Sequence, residues 1–169
     1  PGDGSRTAEL DEFRRVMPAL LAPFGARATV FVAEQTARAP FNLGYLKNVA
    51  FRLAFEHPTA FDRYIFHDID AVPDDQLAPY YAKNPAYPIA LAMRGTRYEG
   101  RRVFLGTACS FRADDFCRIN GYPNSFWGWG GEDDALIGRL AAEGLTCGVP
   151  TEGAIVDGEV TTEGSLKTW

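Results

Sequence analysis

Apolar residues recur every three or four positions in three stretches of the chain. This spacing places them on one face of a helix, and it predicts helices over 8–21, 44–55 and 132–143. Gly144 stands directly after the third stretch, where a left-handed glycine commonly ends a helix. Weaker signals predict short helices at two more places, over 76–83 and 113–119.

Short apolar, aromatic and β-branched runs lie between these helices and are typical of strands. They cover positions 27–33, 62–67, 89–93 and 103–111. Strands that alternate with helices at this spacing predict an α/β fold with a mainly parallel central sheet flanked by helices. No internal repeat or low-complexity segment divides the sequence, so we expect a single domain over 1–169.

Composition narrows the classes of partner. The 169 residues are 46% hydrophobic, enough for one core, and the net charge of −5 argues against a nucleic-acid partner. We find no leader pattern and no apolar run long enough to span a membrane, and because the sequence starts at Pro1 we expect an excised domain. For Cys109, Cys117 and Cys147 we expect buried thiols, with one bridge plus a free thiol as the alternative.

Two carboxylates follow the second predicted strand, in the triplet Asp68-Ile69-Asp70. Residues i and i+2 of an extended chain point to the same side, so both acids can face one ligand at the carboxyl end of the strand. Carboxylate oxygens suit Mg²⁺ and Mn²⁺, cations that can neutralise a diphosphate leaving group. Acids at strand ends also serve as caps and turn formers, so the triplet taken alone favours that structural interpretation.

A more distinctive block joins tryptophans, glycines and acids: Trp127-Gly128-Trp129-Gly130-Gly131-Glu132-Asp133-Asp134. Tryptophan offers a flat apolar surface for a sugar ring, and glycine lets the backbone approach a ligand closely. The alternative is that the acids complement a helix dipole and the tryptophans fill the core. That alternative explains one or two of the acids but not their junction with the tryptophan loop, so we interpret the block as functional.

A third candidate is Pro40-Phe41-Asn42-Leu43-Gly44. Phe41 could stack on a base and the amide of Asn42 could read the edge of that base. Alternatively, Asn42 is the N-cap of the second predicted helix, which is the interpretation that this stretch favours when taken alone.

Together these blocks resemble the β-1,4-galactosyltransferase family in order and spacing. Phe41-Asn42-Leu43 is similar to the family's FNR block, Asp68-Ile69-Asp70 to its DVD block, and 127–134 to its WGWGGEDD block. The segment 119–124 resembles the family's INGFPN sequence, and the whole resemblance covers about 6–148. It implies a GT-A-type nucleotide-diphospho-sugar transferase fold.

The resemblance also implies an inverting transfer from a UDP-sugar donor to a glycan or glycoside acceptor, assisted by Mn²⁺ or Mg²⁺. Asp70 would ligate the metal, Asp133 would be the general base, and Glu132 would hold the sugars beside it. Phe41 and Asn42 would hold uracil. The donor- and acceptor-binding residues would be Arg6, Phe41, Asn42, Asp68, Phe104, Gly106, Trp127, Trp129, Gly130, Gly131 and Asp134.

Several positions depart from the family pattern. Gly4 replaces a phosphate-contacting arginine, and Phe104 stands where a tyrosine helps to choose the donor sugar, which leaves galactose and N-acetylgalactosamine both open. The family's downstream histidine ligand is absent, since both histidines precede the DxD triplet. Three alternatives are open: the sequence ends before the ligand, a carboxylate replaces it, or the enzyme binds metal weakly or not at all. The candidate carboxylates are Asp157, Glu159 and Glu163. We expect His67 to be a packed residue rather than a ligand.

We therefore expect a galactosyltransferase-like enzyme with this chemistry. One alternative is a catalytically degenerate module that binds UDP-sugar or glycan through an incomplete metal site, and another is an unrelated metal-dependent hydrolase. The compartment is open: we expect the cytoplasm for a bacterial enzyme and the Golgi lumen for an excised eukaryotic domain. The oligomeric state and the acceptor are not encoded in any motif of the sequence.

Overall fold

The computed structural model describes residues 6–25, 28–36, 39–96, 99–128 and 130–157. Within these ranges the helices are α1 Thr7–Leu21, a 3-10 turn Ala22–Phe24, α2 Leu43–Phe55, α3 Ala78–Ala82, α4 Ala113–Arg118 and α5 Glu132–Ala142. The strands are β1 Tyr64–His67, β2 Ala71–Pro73, β3 Ile89–Ala90, β4 Ala108–Phe111 and β5 Ile155–Asp157. Every helix predicted from the sequence is confirmed, and the limits agree within a few residues.

The strand pairing corrects the predicted sheet. β4 lies between β1 and β3 and pairs antiparallel with both, with Tyr64 opposite Phe111 and Ile89 opposite Ser110. β2 and β5 form a separate antiparallel pair. A mainly parallel sheet is therefore wrong for the described strands. The chain reaches β4 from β3 without an intervening helix, whereas parallel neighbours need a crossover that returns the chain to its starting edge.

The first predicted strand is also wrong for its described residues. Residues 28–36 form neither helix nor strand, because no neighbouring strand pairs with them. Val30 and Val32 are exposed, and Phe31 packs edge-on against the rings of His57 and Phe61. This segment is held to the region before β1 by aromatic contacts rather than by a hydrogen-bonded ladder.

The predicted end of the last helix is confirmed. Gly144 has a left-handed φ of 64° and its N–H donates to the carbonyl of Ala141. The N–H of Leu145 donates to the carbonyl of Leu140 at 2.9 Å, which completes the paired hydrogen bonds of a Schellman motif. The three cysteines are free, although only Cys109 is buried, so the expectation of three buried thiols is wrong for the exposed Cys117 and the half-buried Cys147.

Two hydrophobic clusters lie on the two sides of the central sheet. The first is built on α1, α3 and β5, and the second on α4, α5 and the loop before β4. Successive residues of a strand face opposite sides, so Ile65 joins the first cluster and Phe66 the second. The second cluster supports the candidate site, because its buried Leu136 and Tyr122 underlie the start of α5 and the turn before it.

No helix in the described part of the chain has both the length and the apolar character that crossing a membrane requires.

Helix α2 approaches the turn before α5 so closely that a glycine is needed at the contact. An added Cβ on Gly44 would lie 2.5 Å from the carbonyl oxygen of Pro123 and 3.3 Å from Cβ of Tyr122. Both neighbours are constrained, since one is backbone and the other is a fully buried residue. The site geometry described below depends on this approach.

We expect Gly44→Ala to lower the free energy of unfolding by about 1–3 kcal/mol, because the new methyl group overpacks this contact. Gly138→Ala is the matched control: Gly138 is also helical and exposed, with open space where Cβ would be, so alanine should stabilise by up to about 1 kcal/mol. Urea unfolding followed by circular dichroism measures both. Equal stabilisation by the two substitutions would contradict the close approach.

Candidate active site

The two DxD acids lie in the turn that joins β1 to β2. The N–H of Asp68 donates to the carbonyl of Thr107 at 2.8 Å, and the N–H of Ala71 donates back to the carbonyl of Asp68 at 3.3 Å. These bonds tie the turn to the loop that precedes β4. The carboxylates are thereby placed at the end of β1, as the sequence predicts.

Thr107 adopts a backbone conformation that is costly for its residue type. Its φ is 58°, in the left-handed region that β-branched residues rarely enter. The conformation directs the Thr107 carbonyl to the Asp68 N–H, and such strained residues cluster at functional sites. Sequence analysis does not single out Thr107, because positive φ at a threonine has no sequence signature.

Each DxD carboxylate faces a basic side chain. Asp70 pairs with Arg6 at 2.5 Å between Oδ2 and Nη1, and its side chain is 14% exposed. Asp68 lies 3.8 Å from the ammonium of Lys47, measured from Oδ1 to Nζ. Arg6 was predicted to bind the donor, whereas Lys47 was not predicted at all.

The structure confirms that His67 is a packed residue. Its Nδ1 lies 2.8 Å from the Asp68 carbonyl and so donates, which leaves Nε2 to accept from the hydroxyl of Tyr81 at 2.7 Å. Burial against Phe13 and Tyr81 lowers the pKa of His67 to about 4, despite its bond to the Asp68 carbonyl. A neutral imidazole with both nitrogens engaged acts as a support for the DxD turn.

The turn 119–124 also borders the candidate site. Two asparagines, one at the N-cap of α2 and one within that helix, bind this turn by hydrogen bonds. Asn42 caps α2 by accepting from the N–H of Tyr45 at 2.9 Å, and its amide donates to the Asn124 carbonyl. Asn48 bonds both the N–H and the carbonyl of Tyr122. Asn42 is 1% exposed, so the N-cap alternative describes the role that the structure gives it. Contact with uracil stays a prediction for this residue.

The tryptophan loop lies beside the start of α2. The N–H of Gly128 donates to the Phe41 carbonyl at 2.7 Å, and Gly128, Gly130 and Gly131 all have φ above 90°. The side chains of Trp127 and Phe41 are 60% and 48% exposed, so both rings are available to a ligand. Trp129, predicted to stack in the site, lies outside the described residues.

Asp133 lies in the first turn of α5, and one of its carboxylate oxygens lacks a hydrogen-bond partner. Its Oδ1 is buried and has no hydrogen-bond partner, while Oδ2 lies so close to Gly106 that a Cβ there would clash with it. The same Cβ would meet the ring of Phe104. Gly106 is thus required by packing, and it brings the loop before β4 directly against Asp133.

The pKa of Asp133 is raised to about 6. Burial is the main cause; Lys47 opposes it, and the negative charges of Glu132, Asp68 and Asp134 add to it. A carboxylate with a pKa near neutrality is a competent proton acceptor, since it is mostly ionised at pH 7 yet basic enough to take a proton. A pKa of about 6 for Asp133 is therefore suitable for a proton acceptor.

The remaining acids of the block differ in exposure. Glu132 is 6% exposed and lies near the Gly44 contact, whereas Asp134 is exposed and pairs with Arg101 at 3.2 Å. Arg101 also lies over the Phe104 ring. Glu132 and Asp133 thus point into the protein, whereas Asp134 points towards solvent, as expected from an acidic run at a helix start.

Metal ligands are incomplete among the residues that the structure describes. These residues form no group of three or more His, Cys, Asp or Glu side chains placed to hold an ion. Asp68 and Asp70 offer oxygen donors of the right chemistry, but each already faces a cation of the chain. Asp157 ends β5, and Glu159 and Glu163 lie outside the described residues. Within the described residues, Asp68 and Asp70 therefore supply part of a ligand set for a divalent cation.

Family models match most of the chain. The model described as N-terminal region of glycosyl transferase group 7 matches residues 4–83. The model described as N-terminal domain of galactosyltransferase matches residues 88–158. The two matches include the DxD turn and the tryptophan–acid block respectively.

Curated relatives agree with these models. The chain is 37% identical over 126 residues to β-1,4-galactosyltransferase 2 of Mus musculus, with 73% of this chain and 34% of the relative covered. It is 38% identical over 116 residues to β-1,4-galactosyltransferase 6 of Rattus norvegicus, with 68% and 30% covered. The chain thus spans about a third of the length of these relatives.

Solved structures show the same fold. The catalytic domain of Drosophila β-1,4-galactosyltransferase 7, in complex with xylobiose, superposes with a TM-score of 0.80 at 29% identity, covering 90% of this chain and 66% of that one. A mutant of that enzyme in complex with manganese, UDP-Gal and xylobiose gives 0.76 at 29% identity, covering 88% and 61%.

The chain has the GT-A-type fold of these galactosyltransferase structures, as the sequence predicts. The chain belongs to the β-1,4-galactosyltransferase family.

The raised pKa of Asp133 implies that its charge destabilises the fold. We expect Asp133→Asn to raise the free energy of unfolding at pH 8 by roughly 1–2 kcal/mol, after allowing for partial exposure of the group. The gain should fade as the pH falls through 6, because wild-type Asp133 then binds a proton and loses its charge. Urea unfolding at pH 8 and pH 5 measures this difference.

Asp134→Asn is the control for that measurement, since Asp134 is exposed and its ion pair with Arg101 contributes little. Its effect should stay within about 0.5 kcal/mol at both pH values. An Asp133→Asn protein that is no more stable than wild type at pH 8 would contradict the buried-charge assignment.

Proposed function

We propose that this chain carries the catalytic site of an inverting glycosyltransferase that moves galactose from UDP-galactose to a sugar hydroxyl. The observation that carries the proposal is the state of Asp133. Its carboxylate is partly buried, one oxygen has no hydrogen-bond partner, and its pKa is about 6. It lies between the tryptophan loop and the loop that is bonded to the DxD turn. Membership of the galactosyltransferase family supports the same reaction over a binding module without catalysis.

Asp133 is the proposed general base. Its carboxylate removes the proton of the acceptor hydroxyl while that oxygen forms a bond to the anomeric carbon of the donor sugar. The bond between the anomeric carbon and the diphosphate oxygen breaks in the same displacement, and UDP leaves with the electron pair. A single displacement inverts the anomeric configuration and needs no protein nucleophile.

The sugar and base surfaces come from the aromatic side chains. Trp127 is the proposed stacking surface for a sugar ring, and Phe41 is the proposed stacking surface for uracil. Both rings are exposed, and the tryptophan loop is bonded to the backbone of Phe41. Glu132 is the proposed residue that holds sugar hydroxyls next to Asp133, and the backbone of Gly130 and Gly131 is proposed to allow close approach of the ligand. The Drosophila relative binds xylobiose, which supports a glycan or glycoside as the acceptor class here.

The DxD turn is the proposed diphosphate side of the site. Asp68 contacts the donor and Asp70 is the proposed ligand of a divalent cation, which supplies positive charge for the leaving diphosphate when it is bound. Manganese accompanies UDP-Gal in the Drosophila relative. Arg6, whose Nη1 lies 2.5 Å from Oδ2 of Asp70, is the proposed phosphate contact.

Donor choice depends on the loop that carries Phe104. Phe104 is 4% exposed and its ring lies against Gly106 beneath Asp133, so it offers shape but no hydroxyl hydrogen bond. We propose UDP-galactose as donor because the chain belongs to the galactosyltransferase family, and UDP-N-acetylgalactosamine as the competitor to be tested beside it.

The proposal is tested by UDP release from a panel of UDP-sugars with simple glycoside acceptors, with Mn²⁺, Mg²⁺ or chelator. We expect release that depends on acceptor and donor, and a drop of about 10²–10⁴-fold in Asp133→Asn, the usual contribution of a general base. Asp114→Asn, an exposed acid in the first turn of α4, is the matched control and should keep full activity.

Binding of UDP without any release would contradict the proposal and favour the binding-module alternative. Release of free sugar without an acceptor would instead favour hydrolysis. Full activity of Asp133→Asn would remove Asp133 as the base.

The pH dependence follows from the same carboxylate. Because Asp133 must be ionised to accept a proton, we expect kcat/KM to fall about tenfold per pH unit below about pH 6. Initial rates of UDP release from pH 5 to 8.5 give this profile, with enzyme integrity checked by circular dichroism at each pH. A rate that stays constant down to pH 5 would contradict the assignment.

A further inference from the structure

Lys47 is a charged residue inside the protein that the reaction scheme above does not use. It lies in the middle of α2, and its side chain is only 9% exposed. Its ammonium is 3.8 Å from Oδ1 of Asp68 and 5.1 Å from the centre of the Tyr122 ring. A buried ammonium is costly unless negative partners surround it, so its presence implies a specific electrostatic need.

The charge around Lys47 comes from both sides of the candidate site. Asp68 belongs to the DxD turn, while Glu132 and Asp133 begin α5. Burial acts to lower the pKa of Lys47, but Asp68, Asp133, Cys109 and Glu132 overcome it and the net pKa is raised. Lys47 therefore remains an ammonium that links the diphosphate side of the site to the base side.

We propose that Lys47 is a positioning residue for the proposed transfer: it is the internal counter-ion that fixes Asp68 and favours the ionised, proton-accepting form of Asp133. This inference rests on the proposed function. It assigns a role to a residue that lies between the DxD turn and the tryptophan–acid block, outside both motifs.

The groups that face Asp133 explain why a cation is needed. Glu132 and Asp134 come from its own helix, Asp68 from the DxD turn, Tyr122 from the turn before α5, Cys109 from β4 and Lys47 from α2. Burial raises the pKa of Cys109 to about 12 and keeps Tyr122 neutral as well. Of these six groups, only Lys47 carries positive charge. Without it, crowded carboxylates favour protonation of one member.

A purely structural role for Lys47 makes a different prediction. If the ammonium only fills space over Tyr122, its loss should lower activity by the same factor at every pH. If it controls the charge of Asp133, its loss should move the acidic limb of the pH profile. The two roles are separated by the midpoint of that limb.

The test compares wild type with Lys47→Met, Lys47→Gln and Lys47→Arg. The midpoint of the acidic limb of kcat/KM should rise by about 1 pH unit or more in the neutral variants that fold, since a nearby opposite charge typically moves a carboxyl pKa by that amount. Lys47→Arg keeps the charge and should stay within about 0.5 unit of wild type. At pH 8.5 the neutral variants should recover most of the loss seen at pH 6.5.

Carbon-13 NMR titration of the Asp133 carboxyl group supplies a second readout, which does not require turnover. If wild type transfers no sugar from any donor, the proposed function fails, and the titration still decides whether Lys47 controls Asp133. A midpoint that rises in the neutral variants supports the inference.

Two outcomes would overturn it. One is an unchanged midpoint for Asp133 in a folded neutral variant. The other is that both neutral variants fail to fold while Lys47→Arg folds, which would make Lys47 a structural counter-ion with no separate role in the reaction.

Discussion

The close packing of α2 against the turn 119–124 and the start of α5 is the constraint on which the site depends. Gly44 permits the approach, and Asn42 and Asn48 fix it with hydrogen bonds to the turn. Because of this packing, Lys47 reaches Asp68, and the acids of α5 come within its field. The DxD turn and the tryptophan–acid block lie about sixty residues apart in sequence. They are joined through α2, a helix that contains neither motif.

The site concentrates negative charge where the fold would be more stable without it. Asp133 is held with an unpartnered oxygen, and Thr107 adopts a left-handed backbone to bond the DxD turn. Both features cost stability, and strain or unpaired charge of this kind is commonly found where a protein does chemistry. His67 shows the opposite behaviour: its ring is neutral and fully hydrogen-bonded, and it supports the turn from beneath.

Sequence analysis predicted the helices, the turn-borne DxD acids and the helix start under the tryptophan loop, because each depends on local pattern. It failed where long-range pairing decides. The antiparallel order of β1, β4 and β3 has no local signature. In α2 the apolar residues Val49 and Leu53 are exposed, while the buried residues are Gly44, Lys47 and Ala54. The available signal was a lysine in the middle of the helix, and it can be interpreted only once the packed face of the helix is known.

A crystal structure with UDP and a disaccharide acceptor bound tests the central claim most directly. We expect the acceptor hydroxyl at about 3 Å from the Asp133 carboxylate, with the diphosphate beside the turn of Asp68 and uracil on the ring of Phe41. Donor and acceptor bound elsewhere, with the Asp133 carboxylate still packed against Gly106, would contradict this arrangement.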